Sequence, residues 1–366
     1  MRVLISGGGI AGPNLAYWLR KGGADVTVVE RAPAPRAGGQ AVDVRGVALD
    51  VIERMGLIDE LRRQRTRMRG SSMIGPDGTE LSRSTEYVPS SGRLDSEDIE
   101  ILRDDLVTLL SEKSGQIVHS NAIVAMRQDE TGVDVAFRNN TEGRYDLVIG
   151  ADGLNSKVRR LAFTEQSDQI LHLGAYVAVY TAANTLGLDE WQVWLQGENA
   201  GAGIYTARNN RELRVNIGFM SGPLEYDRND LDAQRRMVQE RTAGLGWEIP
   251  RLLEAMWTAP DFYFDAMAQV RLDSWSTGRV ALVGDAGYCA SPLSGQGTSL
   301  ALVGGYVLAE ELTRAGEAGA GHRAAFAAYE ERMRPFVVAN QALATENPGG
   351  PASEESIEKA KHAITL

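Results

Sequence analysis

Val3-Leu4-Ile5-Ser6-Gly7-Gly8-Gly9-Ile10-Ala11-Gly12 decides the fold, because an apolar run breaks there into glycines and then continues as a helix. Val3-Leu4-Ile5 reads as a strand buried on both faces, as at the centre of a parallel sheet. Gly7, Gly9 and Gly12 fit G-x-G-x-x-G. The first permits a tight turn, the second lets the backbone approach a pyrophosphate, and the third lets the helix pack closely on the strand. The free N–H groups of the helix's first turn, from Ala11 on, would meet the phosphates. Ala11, Leu15, Trp18 and Leu19 have helical spacing, and Gly22-Gly23 end the helix. A second strand, Val26-Thr27-Val28-Val29, finishes at Glu30, 18 positions beyond Gly12. A carboxylate there can accept both ribose hydroxyls of an adenosine, and it would repel a 2′-phosphate.

The 366 residues suffice for two sub-domains with a substantial core, and 43% hydrophobic with 24% charged residues is ordinary for a soluble enzyme. A net charge of -11 with no basic stripe gives no footing for nucleic acid or an acidic membrane. The single cysteine, Cys289, excludes an internal disulfide, and His119, His172, His322 and His362 show no metal-ligand spacing. Cytoplasmic localisation is expected, with no signal peptide before the first strand and no apolar stretch of membrane-spanning length.

Further along, Ala32-Pro33-Ala34-Pro35-Arg36-Ala37-Gly38-Gly39-Gln40 is a shaped loop. Asp43 and Arg45 flank the start of a helical pattern, Val47 to Met55, and from residue type alone they read as a helix cap and a solvated charge. A helix from Ile58 to Arg65 and a hairpin over Met68–Ile74 and Thr79–Ser84 follow. The next helix is expected from Ile101 to Lys113. Arg103 near its start is misplaced on dipole grounds, which suggests either a nearby anion or a surface pair with Asp104 or Glu100. Strands are expected at Gln116–Val118, Ile123–Gln128, Val133–Arg138 and Tyr145–Ile149. The last runs into a second glycine turn, Gly150-Ala151-Asp152-Gly153, before a short helix at Ser156.

From Ile170 to Trp275 alternating patterns indicate an antiparallel sheet with one covered face, interrupted by helices near Leu231–Ala243 and Ile249–Trp257. Trp191, Trp194, Trp247, Trp257 and Trp275 sit in this part and read either as core or as the wall of a pocket for a flat apolar ligand. A third turn closes the pattern: the strand Gly278–Val283, then Gly284-Asp285-Ala286, then Ser291-Pro292-Leu293-Ser294-Gly295-Gln296-Gly297 before a helix from Thr298 to Leu312. Asp285 suits a sugar hydroxyl, whereas the N–H groups at Gly295 and Gly297 suit a phosphate or a ring carbonyl. A polar tail follows Pro348 and ends in an amphipathic stretch, Glu354 to Ile364.

In order and spacing, the three turns resemble the fingerprints of single-component FAD-dependent aromatic hydroxylases of the para-hydroxybenzoate hydroxylase type. The stretch Gly39-Gln40-Ala41-Val42-Asp43-Val44-Arg45-Gly46 is most similar to tetracycline-inactivating flavin monooxygenases and antibiotic-pathway relatives. The resemblance implies an α/β fold: a Rossmann-like FAD-binding domain with a parallel sheet, and a substrate domain of largely antiparallel sheet covered by helices. The expected division is 1–70, 95–165 and 276–345 for the FAD-binding domain, 71–94 and 166–275 for the substrate domain, and 346–366 for a helical tail. Glu30 would hold the adenosine ribose, with Arg31 and Arg36 near the adenine and pyrophosphate. Arg103 would reach the pyrophosphate or ribityl region, Asp285 the ribityl chain, and Pro292, Gly295 and Gly297 the isoalloxazine. Asp43 would lie at the flavin and substrate boundary, and Asp152-Gly153 would serve both FAD and the nicotinamide cofactor. Two departures stand out: the family often has Gly-Asp-Ala-Ala-His where this chain has Gly284-Asp285-Ala286-Gly287-Tyr288, and Asn and Asp where Ser299 and Gly304 stand.

The implied reaction consumes NAD(P)H, bound transiently because no second G-x-G-x-x-G would house it. It inserts one atom of dioxygen into an aromatic or polyketide-like small molecule through a flavin hydroperoxide. FAD is expected to be non-covalent, with Cys289 a small buried hydrophobe. No side chain is assigned as a catalyst, since the cofactor carries the chemistry. A flavin-dependent reductase or oxidase, or a non-catalytic flavoprotein sequestering an aromatic ligand, remains open on the same fold. A monomer or weak dimer is expected, without metal.

Overall fold

The computed structural model describes residues 1–163, 169–347 and 350–366. Its organising layer is a six-stranded sheet in the spatial order Ser276–Thr277, Val280–Leu282, Leu147–Gly150, Arg2–Ser6, Asp25–Val29, Ile117–Val118. All neighbours run parallel except the first pair. Val3, Leu4 and Ile5 are fully buried, as a central strand covered on both faces must be. The helix Ala11–Lys21 packs on the helix Gly297–Glu317, fastened by Asn14 Nδ2 donating to the Leu302 carbonyl at 2.8 Å. A meander of Ile123–Gln128, Val133–Phe137 and Glu142–Tyr145 adds Val133, Val135 and Phe137 to the same core.

The second layer is a seven-stranded sheet ordered Tyr263–Val270, Ile170–Ala183, Glu212–Met220, Ala200–Ala207, Trp191–Gln196, Gly70–Ile74, Glu80–Ser84. It is antiparallel except where Gly70–Ile74 runs parallel to Trp191–Gln196. Alternation sends Tyr176, Ala178 and Tyr180 to a core under the helices Leu231–Thr242 and Ile249–Met256, where Tyr180 Oη donates to the Leu252 carbonyl at 3.0 Å. The opposite face meets the small sheet of Ala41–Val44 and Ile99–Leu102. There the Ala41 amide donates to Tyr205 Oη at 2.7 Å, and Arg214 Nε donates to the Gly39 carbonyl at 3.1 Å.

Several expectations are corrected. Ile101 and Leu102 belong to a strand, and the helix begins at Arg103, because both residues pair with Ala41 and Val42 across the small sheet. The expected strand Tyr145–Ile149 is two strands: Tyr145 ends the meander, and Leu147–Gly150 joins the parallel sheet. Asp146 makes the break, its carboxylate accepting the Arg2 amide at 2.6 Å. A 26-residue helix, Gly321–Glu346, was not expected; Pro335 lies inside it, and Gly319 and Gly321 with positive φ separate it from its predecessor. It runs past the expected boundary at 345. The boundary at 165/166 and Pro348 lie outside the described residues. Among the described residues no helix is long and apolar enough to cross a membrane.

Candidate functional site

Three chain segments leave the parallel sheet at one level. Ser6 is in register with Gly150, and Gly150 with Leu282. The Ala151 amide donates to Ser6 O at 2.8 Å, and Val283 to Gly150 O at 2.9 Å. The three glycine turns therefore start side by side, where strand order reverses and α/β sheets place their ligands. They also touch. A Cβ on Gly7 (φ +121°) would lie 2.2 Å from Ala151 O, and one on Gly284 (φ +64°) 3.1 Å from Ala11 Cβ. Gly12 has the tight approach expected of it: a Cβ there would sit 1.9 Å from Gly7 O. Gly9 has nothing within 4 Å, and the helix behind it has no side-chain cap and no acid in its first turn. Its N-terminus faces open space ready for an anion.

Along the trough from this point, Glu30 is fixed by two backbone amides, Gly8 N to Oε2 at 2.7 Å and Ala32 N to Oε1 at 2.8 Å. Each oxygen keeps a lone pair. Arg31 and Arg36 are exposed, and Arg36 lies over the Tyr263 ring at 4.6 Å, which ties the loop to the antiparallel sheet. The surface-pair reading of Arg103 is overturned. Asp104 is taken by Arg208 at 2.8 Å and by the Gly38 amide at 3.0 Å, and Glu100 accepts from Thr66 Oγ1 at 2.5 Å. Arg103 instead reaches the Arg36 carbonyl at 3.2 Å and leaves Nε without a partner. Burial and the neighbouring Arg36 push its pKa down to about 10, so a ligand anion would relieve it.

The cap-and-solvated-charge reading of Asp43 and Arg45 is likewise overturned. Gly46, not a side chain, stands at the N-cap of Val47–Arg54, and both charged residues are buried, joined Nη2 to Oδ2 at 2.8 Å. Burial raises the Asp43 pKa against the pull of Arg45. Asp152 spends its carboxylate on the helix Lys157–Ala162, accepting from Ser156 Oγ at 2.5 Å, Lys157 N at 2.7 Å and Val158 N at 3.1 Å. Its turn is thereby shaped, and Gly153 (φ +77°) faces open space.

At the third turn Asp285 is solvent-accessible, and Gly297 follows it closely, a Cβ there lying 3.9 Å from Asp285 Oδ1. Pro292–Ser294 form one 3-10 turn entered through Ser291 at φ +73°. Such strain in a non-glycine residue collects at working sites. Gly295 (φ +64°) faces Arg45, with Nη2 3.7 Å from the Cβ position. Cys289 is buried, its Sγ directed at the Ala268 carbonyl at 3.5 Å, and burial pushes the thiol pKa up.

The sequence departures turn out to be structural. Ser299 Oγ accepts the Arg45 amide at 3.1 Å. Gly304 makes room for Tyr288, whose Oη would lie 1.9 Å from a Cβ at 304. The tryptophans do not gather into a pocket. Trp275 packs on Tyr288 at 4.6 Å in the parallel-sheet core, Trp191 is covered by Arg83, and Trp257 is exposed. By alternation Trp194 alone shares the Tyr205 face.

Sequence reasoning missed Gln40 and Gln296. The Gln296 side chain is fully buried with neither Oε1 nor Nε2 bonded, and Gln40 Oε1, Asp43 Oδ1, Arg45 Nε and Arg103 Nε are also buried without partners. Each such atom costs about 1–3 kcal/mol if left unmade. Other unpartnered atoms, such as Arg20 Nη1 and Tyr226 Oη, lie elsewhere, but these six are on neighbouring residues. The Arg103 amide donates to the Gln40 carbonyl at 3.1 Å and Arg45 faces Gly295, next to Gln296, so a polar ligand here would satisfy them together. An extended dinucleotide with sugar hydroxyls, phosphates and a ring edge fits that donor and acceptor set. A surface cleft of about 560 Å³ between Gly56–Gln64 and Thr108–Lys113 holds none of these residues.

Comparison with known proteins agrees with the geometry. The chain belongs to the FAD binding domain family, whose model matches residues 1–344, and it is an FAD-dependent monooxygenase. A flavin-dependent monooxygenase of Legionella longbeachae serogroup 1 is 38% identical, covering 93% of this chain and 87% of that one. An uncharacterized protein of Mycobacterium tuberculosis H37Rv is 48% identical over 369 residues, covering 100% of this chain and 98% of the relative. Among solved structures, tetracycline destructase Tet(51) superposes with a TM-score of 0.90 at 34% identity, covering 100% of this chain and 98% of that one.

Proposed function

We propose that this monooxygenase inserts one atom of dioxygen into a fused-ring aromatic or polyketide-like molecule of the tetracycline class, using NAD(P)H as a transient donor. The observation that carries the cofactor part of the reading is the set of unpartnered buried polar atoms on Arg103, Gln40, Asp43, Arg45 and Gln296. Similarity over full length to tetracycline destructases supports the substrate class.

In this reading the first-turn amides from Ala11, with Gly7, Gly9 and Gly12 shaping their approach, and Arg103 take the pyrophosphate. Glu30 takes the adenosine ribose, with Arg31 and Arg36 beside the adenine. Asp285 accepts from the ribityl chain, Gly284 lets that turn close on Ala11, and Pro292, Gly295 and Gly297 lie along the flavin ring. When bound, the flavin would supply the redox chemistry toward dioxygen. The protein's share is orientation and exclusion of water. The sheet face carrying Trp194 and Tyr205 serves as the wall of a substrate domain, since Trp194 is braced by its Nε1 bond to Gln192 Oε1 at 2.9 Å and lies flat over Gly203.

Purified holoenzyme incubated with NADH or NADPH, a tetracycline and labelled dioxygen provides the test. The expected result is substrate-stimulated NAD(P)H oxidation and a product heavier by one labelled oxygen. Turnover without label would establish a reductase or oxidase, and tight ligand binding without NAD(P)H consumption a sequestering flavoprotein.

A further inference from the structure

The helix Glu354–Lys361 belongs to neither sheet, yet its last residue reaches the framework of the flavin-ring site. Lys361 Nζ pairs with Asp98 Oδ2 at 3.0 Å, and the two side chains are only 8% and 10% exposed. The other Asp98 oxygen accepts the Gly46 amide at 3.1 Å. Gly46 is in the left-handed region at φ +51°, and a Cβ there would lie 2.5 Å from the Lys361 carbonyl oxygen. The helix is thus seated directly on the backbone turn that follows Arg45. Asn340 holds it from behind, Nδ2 donating to the Ala360 carbonyl at 3.1 Å. Glu358 also pairs with Lys361, but it is 61% exposed and gives no reason for the lysine to be buried. Asp98 does, because a lysine taken out of water needs a buried counter-charge.

Arg45 and Asp43 are what this seating controls. They bond to each other, and each keeps one buried polar atom unpartnered, a donor at Arg45 Nε and an acceptor at Asp43 Oδ1. Arg45 faces the Gly295 turn. A donor beside an acceptor is the complement of the pyrimidine edge of an isoalloxazine, where carbonyl oxygens flank an N–H. With Asp43 and Arg45 set against that edge when FAD occupies the trough, we propose that Lys361 is a positioning residue holding the pair through Asp98 and Gly46. The inference rests on FAD occupying the trough and not on which reaction follows.

Lys361→Met in the full chain is expected to weaken FAD binding at least tenfold, read by quenching of FAD fluorescence, and to blunt the resolved shoulders of the bound flavin's visible spectrum. Lys361→Arg keeps both near the parent. Lys361→Met also strands the Asp98 charge, so the double variant Asp98→Asn/Lys361→Met, which removes both charges, separates stability from positioning. Its melting temperature returns toward the parent's while affinity and spectrum stay altered. Parent-like affinity and spectrum in the folded double variant overturn the proposal. Failure of the proposed reaction shows separately, as a parent enzyme whose FAD binding depends on Lys361 yet which incorporates no oxygen.

Discussion

Gly9 and Gly12 stand three residues apart and do opposite work. Gly12 is glycine because the protein itself fills the space of a side chain, whereas at Gly9 that space is empty. Gly12→Ala is therefore expected to destabilise the apoprotein by ~1–3 kcal/mol through overpacking, measured by urea denaturation. Gly9→Ala should leave apoprotein stability within about 0.5 kcal/mol yet weaken FAD binding tenfold or more, ~1.4 kcal/mol, because with FAD seated as proposed its methyl would enter pyrophosphate space. Equal effects of the two on apoprotein stability would contradict this division. Glu100 gives a second residue-scale prediction. Burial, and after it the Asp43 charge, raises its pKa from 4.5 to about 7. The folded state then holds a proton that the unfolded state has released, so stability falls as pH rises from about 4.5 to about 7 and levels off above. Glu100→Gln should flatten that slope, seen as a smaller loss of denaturation midpoint between pH 5 and pH 8. At this scale the placement of the glycine turns side by side, with Glu30 and Asp285 next to them, was legible because a motif fixes their neighbours. Arg45 was not, and Asp43 entered only through the family resemblance, since from residue type a cap and a buried ion pair look alike until the strand opposite is known. Gln40 and Gln296 gave no signal, because lacking a partner is a property of three dimensions.

The element that joins the second turn to its helix is a cap built from two side chains. Ser156 Oγ accepts the Arg159 amide at 2.9 Å while Asp152 takes the two amides before it. Ser156→Ala should cost ~1 kcal/mol of stability, as an N-cap loss does, with FAD affinity nearly unchanged. Asp152→Ala should cost more and weaken FAD as well, because the Gly150–Gly153 turn loses its anchor. Thermal melting with and without FAD distinguishes the two. Elements with strong local punctuation, such as the first strand and helix or the hairpin at 70–84, were readable to within a residue or two. Those set by distant partners were not. Ile101-Leu102 has helical neighbours, and only pairing with Ala41-Val42 makes it a strand. Pro335 obscured the Gly321–Glu346 helix, and the sheet's aromatic cluster proved to be Tyr176, Phe219 and Phe264, stacked at 5.4–6.1 Å, rather than the tryptophans.

Across the whole molecule, the trough is bounded by segments from both sheets, with Arg36 on Tyr263 and Gly39 on Arg214 linking them. A ligand lying there binds only the assembled state. FAD at a hundred times its Kd should add ~2.7 kcal/mol, and the melting temperature should climb with FAD concentration. Failure to shift under saturating FAD would contradict the assignment of the trough.

The order of strands in the parallel sheet has one more consequence. Leu147–Gly150 sits between Arg2–Ser6 and Val280–Leu282, so the pocket's three walls are made early, midway and late in synthesis. A nascent chain emerging N-terminus first can form the opening strand, turn and helix long before the last wall exists. Capture of the cofactor is consequently expected only at the end of biogenesis. Ribosome-bound fragments halted before residue 280 should remain colourless, while full-length chains released from the ribosome should turn yellow.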